Sequence, residues 1–336
     1  MKRLQLEDIS KQLGYSKTLI SMVLNGKGDQ YGISKKTQAA VLKAVAELDY
    51  TPNKFARALR TGKSFFVGLI VADISNPFYS TIAKNIESVL FEYGYNLMVC
   101  STGENEEHEK RLVEMMINQQ GVDGLIIAST FKTAEFYTNT RYATTPFVFI
   151  DRVLPLFNAN YVVIDNYSGS CEIVNHLIKQ NCKTISCFSI TPSYISTIED
   201  RVNGYKDALT KNKIKVDESL MKSIRFDAIQ KDVENNLTDL LKNNPTLDAI
   251  YCLNNNITTA LLIALRKKEF EKLANKIKIA CFDDIDLFNI IDRKIISVLQ
   301  PVEDIGKNSS LLMLDIINGK QTHKSNIVLA TTLIER

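Results

Sequence analysis

What this chain lacks narrows its function before any motif is considered. No apolar run among its 336 residues reaches the roughly 20 residues that a membrane-spanning helix needs. The opening stretch, MKRLQLEDIS, has no apolar signal core. Neither export nor membrane insertion is expected. Cys100, Cys171, Cys182, Cys187, Cys252 and Cys281 form no CxxC pair and sit mostly in apolar runs. They read as reduced, packed thiols of a cytoplasmic protein rather than metal ligands. Histidine is confined to His108, His176 and His323, none of them beside a strand-end Ser or Cys that it could activate. No GxGxxG follows a strand-like run, and neither GxxxxGK[ST] nor GxSxG occurs. Asp283 and Asp284 are adjacent carboxylates, but neighbours at a strand end point apart, which does not favour acid–base chemistry. The chain reads as a non-enzyme with no cofactor and no metal.

What is present is unevenly distributed. The composition, 45% hydrophobic and 24% charged, is that of a globular protein with room for two or three domains. Residues 1–63 hold 12 Lys and Arg against 5 Asp and Glu, while the remainder holds 29 against 33. A basic head on an acidic body points to a polyanion as the partner of the head.

In residues 1–49, Leu6, Ile9 and Leu13 recur at helical spacing, and Gly14 suits a tight turn after them. Ser16 suits the N-cap of a second helix, Lys17 to Leu24, with Ile20, Val23 and Leu24 inward. Lys17, Thr18, Ser21, Met22 and Asn25 fall on the other side. A third helix starts near Ser34 and is expected to bury Val41, Leu42, Val45 and Leu48. This is the helix-turn-helix plan, and small, polar and cationic side chains on the second helix can approach base edges in a major groove. A three-helix protein-interaction module is the alternative on these residues alone.

Residues 50–63, from YTPNKFARALRTGK, place Ala56 and Leu59 on one narrow apolar edge among Lys54, Arg57, Arg60 and Lys63. So short a helix is not stable by itself, because nucleation is costly. A DNA minor groove would order it: the cations neutralise phosphates and Leu59 wedges between base pairs. Docking of Leu59 on the body is the alternative.

From residue 65, apolar runs alternate with helical segments: FFVGLIV, YNLMVC, VDGLIIA and PFVFID, then YVVID, TISCFSI, SIRF, DAIYCL and IKIACF. The pattern predicts parallel sheets covered on both faces, in two series and therefore two lobes. Ligands of such sheets bind beyond the carboxyl ends of the strands. Those positions carry Asn76, Phe78 and Tyr79, Asp151 and Arg152, Asn254, Asp283 and Gln300, with Arg201 on a helix expected to begin near Asp200–Arg201. Carboxylates, guanidinium groups and amides suit sugar hydroxyls, and an aromatic face suits the C–H side of a sugar ring. Each residue also has a structural reading, as a helix cap, a surface ion pair or a solvated helix position.

The segments LEDISKQLGYSKTLISMVLNGKG, ISKKTQAAVLKAVAELDYTPNKFARALRTGKS and VGLIVADISNPFYSTIAKNIE resemble the LacI/GalR family of bacterial transcription regulators across nearly the whole chain. The resemblance implies an all-α helix-turn-helix head on an α/β body with a two-lobed, periplasmic-binding-protein-like core of parallel sheets. It implies that Lys17, Thr18, Ser21 and Met22 reach bases, with Leu59 inserted at the operator centre and Ala56 beside it. Asn25, Asn53 and Arg57 complete the candidate DNA-binding set. The loop GKGDQYG between the second and third helices is a departure. The body is similar to periplasmic ribose- and galactose-type binding proteins, through DR, RVNGY, CFDD and LQPVEDIG. That likeness implies an effector site of Asn76, Phe78, Tyr79, Asp151, Arg152, Arg201, Asn254, Asp283 and Gln300. A second departure is Asn255, where the family usually has Asp.

The expected organisation is a DNA-binding domain at 1–49, a hinge at 50–63 and a body at 64–336. Within the body, 64–162 and 300–325 form the first lobe, and 163–299 and 326–336 the second. The expected partners are near-palindromic double-stranded operator DNA, a small carbohydrate effector and a second copy of the chain, with no membrane. The setting is cytoplasmic, at the nucleoid. The polar groups favour an uncharged or weakly charged sugar over a phosphorylated one. The competing reading is a sugar-binding transport component; the basic head and the missing signal core argue against it.

Overall fold

The computed structural model describes residues 6–24, 26–48, 62–244, 246–274, 276–321 and 323–335. The chain divides into two compact units, Met1–Ser64 and Phe65–Arg336.

In the first unit, helices Leu6–Leu13, Lys17–Leu24 and Lys35–Glu47 enclose a small core of Ile9, Ile20, Val23 and Val41. Ser16 Oγ accepts from the Leu19 amide and Ser34 Oγ from the Thr37 amide, so the second and third helices are capped by hydroxyls. Leu42 departs from expectation: it is 52% exposed, and Ala44 is buried instead. From Val41, steps of three, four and seven residues reach Ala44, Val45 and Leu48 on one face, whereas Leu42 is rotated about 100° away. The loop before the third helix is tied down by polar contacts. Asp29 accepts from Lys35 Nζ and Gln38 Nε2, and Gln38 Nε2 also donates to the Ile33 carbonyl.

The second unit contains two six-stranded sheets. The first is ordered β11-β5-β4-β3-β1-β2, with β1 Phe66–Val71, β2 Asn96–Ser101, β3 Gly124–Ile127, β4 Phe147–Ile150, β5 Asn160–Ile164 and β11 Asn326–Leu329. The second is ordered β12-β10-β9-β8-β6-β7, with β6 Ile185–Ile190, β7 Met221–Ile224, β8 Ala249–Cys252, β9 Lys278–Phe282, β10 Ile295–Leu299 and β12 Thr332–Glu335. Every described pairing is parallel except that of β10 with β12.

Two sequence expectations are corrected by the pairing. The run YVVID lies in the first sheet as β5, not in the second series, because it pairs with β4 and β11. Residues 326–329 also belong to the first sheet, so the last crossing falls between β11 and β12, not near Asn326.

Helices are welded where a side chain is missing. A Cβ at Gly204 would lie 2.6 Å from the Tyr167 carbonyl, so helix Ser196–Lys211 packs tightly on helix Asn166–Lys179. A Cβ at Gly306 would lie 2.6 Å from Asn85 Cβ, where helix Val302–Ile317 meets helix Pro77–Glu92. Each lobe thus carries one close helix pair beside its sheet. In both sheets the strand order reverses after the first strand of the lobe, between β1 and β3 and between β6 and β8. Those reversals open crevices at the carboxyl ends, where ligand sites of such sheets form.

Candidate functional site

The two crevices face each other across one cavity. All nine residues singled out in the body line it: Asn76, Phe78, Tyr79, Asp151 and Arg152 from the first lobe, and Arg201, Asn254, Asp283 and Gln300 from segments following the second lobe's strands or on its helices. Helix Ser196–Lys211 begins earlier than expected, which puts Arg201 in its second turn, 4% exposed.

On the first side, Asn76 caps helix Pro77–Glu92 by accepting from the Phe78 amide, which fixes the aromatic pair Phe78 and Tyr79 edge to face. Tyr79 donates its hydroxyl to Asp151 Oδ2 at 2.8 Å. Asp151 has φ 64°, a left-handed backbone that a non-glycine residue rarely adopts and that is typical of strained functional positions. Arg152 Nη1 donates to Glu104 Oε2 at 2.8 Å and to the Ser129 carbonyl, while its Nη2 donates to Glu104 Oε1 and lies 3.4 Å from the Tyr79 hydroxyl. Burial pulls the Arg152 guanidinium down, but Glu104, Tyr79 and Asp151 outweigh it and hold it well above its ordinary value. Burial foremost pushes the Tyr79 hydroxyl well up. Both therefore keep their protons at any physiological pH.

On the second side, the Arg201 guanidinium lies 3.8 Å from the centre of the Phe282 ring. Its Nε donates to Asn166 Oδ1 and its Nη1 to the Leu253 carbonyl. Asp283, with φ 107°, accepts from the Asn255 amide and from Gln300 Nε2. Burial pushes the Asp283 carboxyl up to about 6, against the opposing pull of Arg201. Asp284 instead accepts from Ser297 Oγ, so the adjacent pair does diverge. Gln300 Oε1 is buried without a hydrogen-bond partner among the described residues. Such an acceptor is costly to bury unless a ligand or water serves it.

The lobes touch around the cavity. Asn255 Nδ2 donates to Asn76 Oδ1 at 2.8 Å and Asn76 Nδ2 donates back to Asn255 Oδ1 at 3.2 Å. The single Tyr194 O–H lies within reach of Glu106 Oε1 at 3.1 Å and the Thr130 carbonyl at 3.3 Å, and the Val153 amide donates to Ser196 Oγ. The departure at Asn255 thus has a structural use: an amide can both give and accept in this reciprocal pair, and a carboxylate cannot.

Glu104 and Phe226 also line the cavity and were not anticipated. They follow β2 and β7, two of the strands after which the sequence offers no candidate in the reading above. Applied to every strand, the strand-end rule reaches both.

In the head, Lys17 and Thr18 are exposed and Ser21 and Met22 half-buried on the second helix. Lys17 Nζ lies 3.0 Å from Glu7 Oε2. Asn25, Asn53, Ala56, Arg57 and Leu59, with most of the expected hinge, lie outside the described residues.

Residues 64–336 match the periplasmic binding proteins and sugar binding domain of the LacI family, and residues 5–53 match the bacterial regulatory proteins of the same family. The chain belongs to the LacI family. It is a DNA-binding transcription regulator, not an enzyme, with the sugar-binding type of body. Among its relatives, the ribose operon repressor of Halalkalibacterium halodurans is 29% identical, over 98% of this chain and 96% of the relative. The regulator DegA of Bacillus subtilis is 30% identical, over 98% and 96%. The fold of this LacI-family member also matches the lac repressor dimer bound to operator and the anti-inducer ONPF. That match has a TM-score of 0.84 at 20% identity and covers 99% of this chain and 98% of that one. The cellobiose complex of the regulator CelR matches with a TM-score of 0.69 at 24% identity, over 99% and 98%.

Proposed function

We propose that this LacI-family regulator is a repressor whose hold on a near-palindromic operator is changed by a small carbohydrate bound between its lobes. The observation that carries the reading is the convergence of nine strand-end and helix residues from both lobes on one cavity with a buried, unserved acceptor at Gln300. Carboxylates there accept from hydroxyls, Arg201 and Asn254 donate, and Phe78 covers a ring face. In this reading Lys17, Thr18, Ser21, Met22 and Asn25 meet bases in the major groove. Asn53, Ala56, Arg57 and Leu59 act in the central minor groove.

A homodimer presents two heads to two half-sites, and its hinges order together on the DNA. A ligand acts only through its different affinity for two lobe arrangements, a coupling of about 1–3 kcal/mol. The relatives named for a ribose operon support a pentose-like effector class. The domains are placed at 1–49, 50–63 and 64–336, and the protein at the nucleoid of the cytoplasm.

The test is a thermal-shift screen of neutral sugars on the full chain, repeated with DNA fragments of the source genome. A sugar that raises the melting temperature and also changes fragment retention is the expected result. Leu59→Ala is expected to weaken fragment binding at least tenfold while leaving the sugar shift in place. Retention of no fragment, with or without any sugar, would overturn the reading.

A further inference from the structure

Two arginines line the cavity, which at first sight suits an anionic ligand. Their surroundings say otherwise. Arg152 is matched end to end by Glu104, whose two carboxylate oxygens take one N–H from each terminal nitrogen. The Ser129 carbonyl and the Tyr79 hydroxyl engage the same two nitrogens; Nε lies 3.4 Å from Asp151 Oδ2 and is the one N–H of Arg152 without a hydrogen bond among the described residues. No pair of parallel N–H groups is left on Arg152 to grip a phosphate or a carboxylate. Asp73, Glu104, Asp151 and Asp283 supply four carboxyl groups to the lining against the two guanidinium groups.

Glu104 is built into this position. Its side chain is only 10% exposed, and its backbone has φ 57°, a left-handed conformation unusual for glutamate. Thr102 Oγ1 accepts from its amide and fixes the turn. The turn follows β2, so the carboxylate comes from outside the DR segment that it neutralises.

We propose that Glu104 is a specificity-determining residue of the effector site: by occupying Arg152 and leaving the cavity with excess negative charge, it admits uncharged sugars and rejects phosphorylated or acidic ones. This rests on the reading of the cavity as a sugar site. A neutral polyol loses nothing to the excess charge, since its hydroxyls donate to Asp151 and Asp283. An anion meets four carboxyl groups and one guanidinium not matched by a carboxylate, that of Arg201. Glu104→Gln removes one charge and one acceptor oxygen, which returns an N–H of Arg152 to the cavity.

The experiment titrates the full chain and its E104Q variant with neutral pentoses and hexoses, each beside its phosphate and its uronic or aldonic acid, by calorimetry and thermal shift. Wild type is expected to bind at least one neutral sugar and none of the anionic partners measurably. In E104Q the ratio of neutral to anionic affinity is expected to fall by about tenfold or more, the size of one charge-assisted hydrogen bond. Binding of an anionic sugar to wild type as tightly as its neutral parent overturns the proposal, and that arm decides even if E104Q fails to fold. An unchanged ratio in a folded E104Q also overturns it. If no sugar of any charge binds either protein, the sugar-site reading fails first and the role of Glu104 falls with it.

Discussion

The two lobes share a strand order and a switch point, yet they bury their arginines by different means. The first lobe holds Arg152 with a carboxylate, Glu104, reaching in from another turn. The second holds Arg201 with an amide oxygen, a main-chain carbonyl and an aromatic face. A bidentate ion pair fixes orientation and cancels charge together. Neutral partners fix orientation and leave the charge in play. The first lobe therefore contributes a wall whose arginine is fixed and neutralised, and the second contributes the cation that a ligand meets.

The largest expected effect separates these designs. Arg152→Ala strands a buried Glu104 carboxylate and is expected to destabilise the body by about 3–5 kcal/mol, read by urea unfolding. The double variant Arg152→Ala, Glu104→Ala should recover part of that loss. Arg201→Ala leaves neutral oxygens behind and should cost less stability, about 1–3 kcal/mol, while abolishing the sugar response. Equal losses in the two single variants would erase the distinction between the lobes.

A smaller effect tests the acidic residue of the second lobe. The Asp283 carboxyl is raised by burial to about 6 from an ordinary 3.8. Between those values the folded state keeps a proton that the unfolded state has lost. The contribution of Asp283 is therefore full below about pH 4 and falls as pH rises to about 6, by an amount on the order of 3 kcal/mol. Unfolding free energies of wild type and Asp283→Asn, compared from pH 4 to 7, should converge or cross in that sense; a gap independent of pH would contradict it. The smallest effect concerns the contact between lobes. Asn255→Asp removes one of two reciprocal bonds to Asn76 and should change effector affinity by less than about tenfold, worth about 1 kcal/mol, by calorimetry.

Much of the site was legible because its residues follow strands, and strand ends can be read from apolar runs. Partner choice was not legible. The run YVVID looks the same whether it joins the first sheet or the second, since an apolar strand buried on both faces carries no mark of its neighbour. β11, with its alternating half-buried residues at a sheet edge, gave too weak a pattern to be seen. Leu42 misled because its hydrophobicity was weighed above its angular position. Glu104 is within reach of the strand-end rule, but its pairing with Arg152, 48 residues away, leaves no local mark in the sequence.

The three passages of chain between the sheets have a mechanical consequence. They leave from β5, β10 and β11, and these strands lie in the two outermost places at one edge of their sheets. Three straps along a single margin behave as the knuckles of a door hinge: they allow the halves to swing about that margin and resist sliding or twisting. This connectivity favours rotation about that margin, in which the far margin, where β2 and β7 lie, travels furthest. Glu104 and Phe226 sit just beyond those two strands, so they are the lining residues whose separation reports the swing most sensitively.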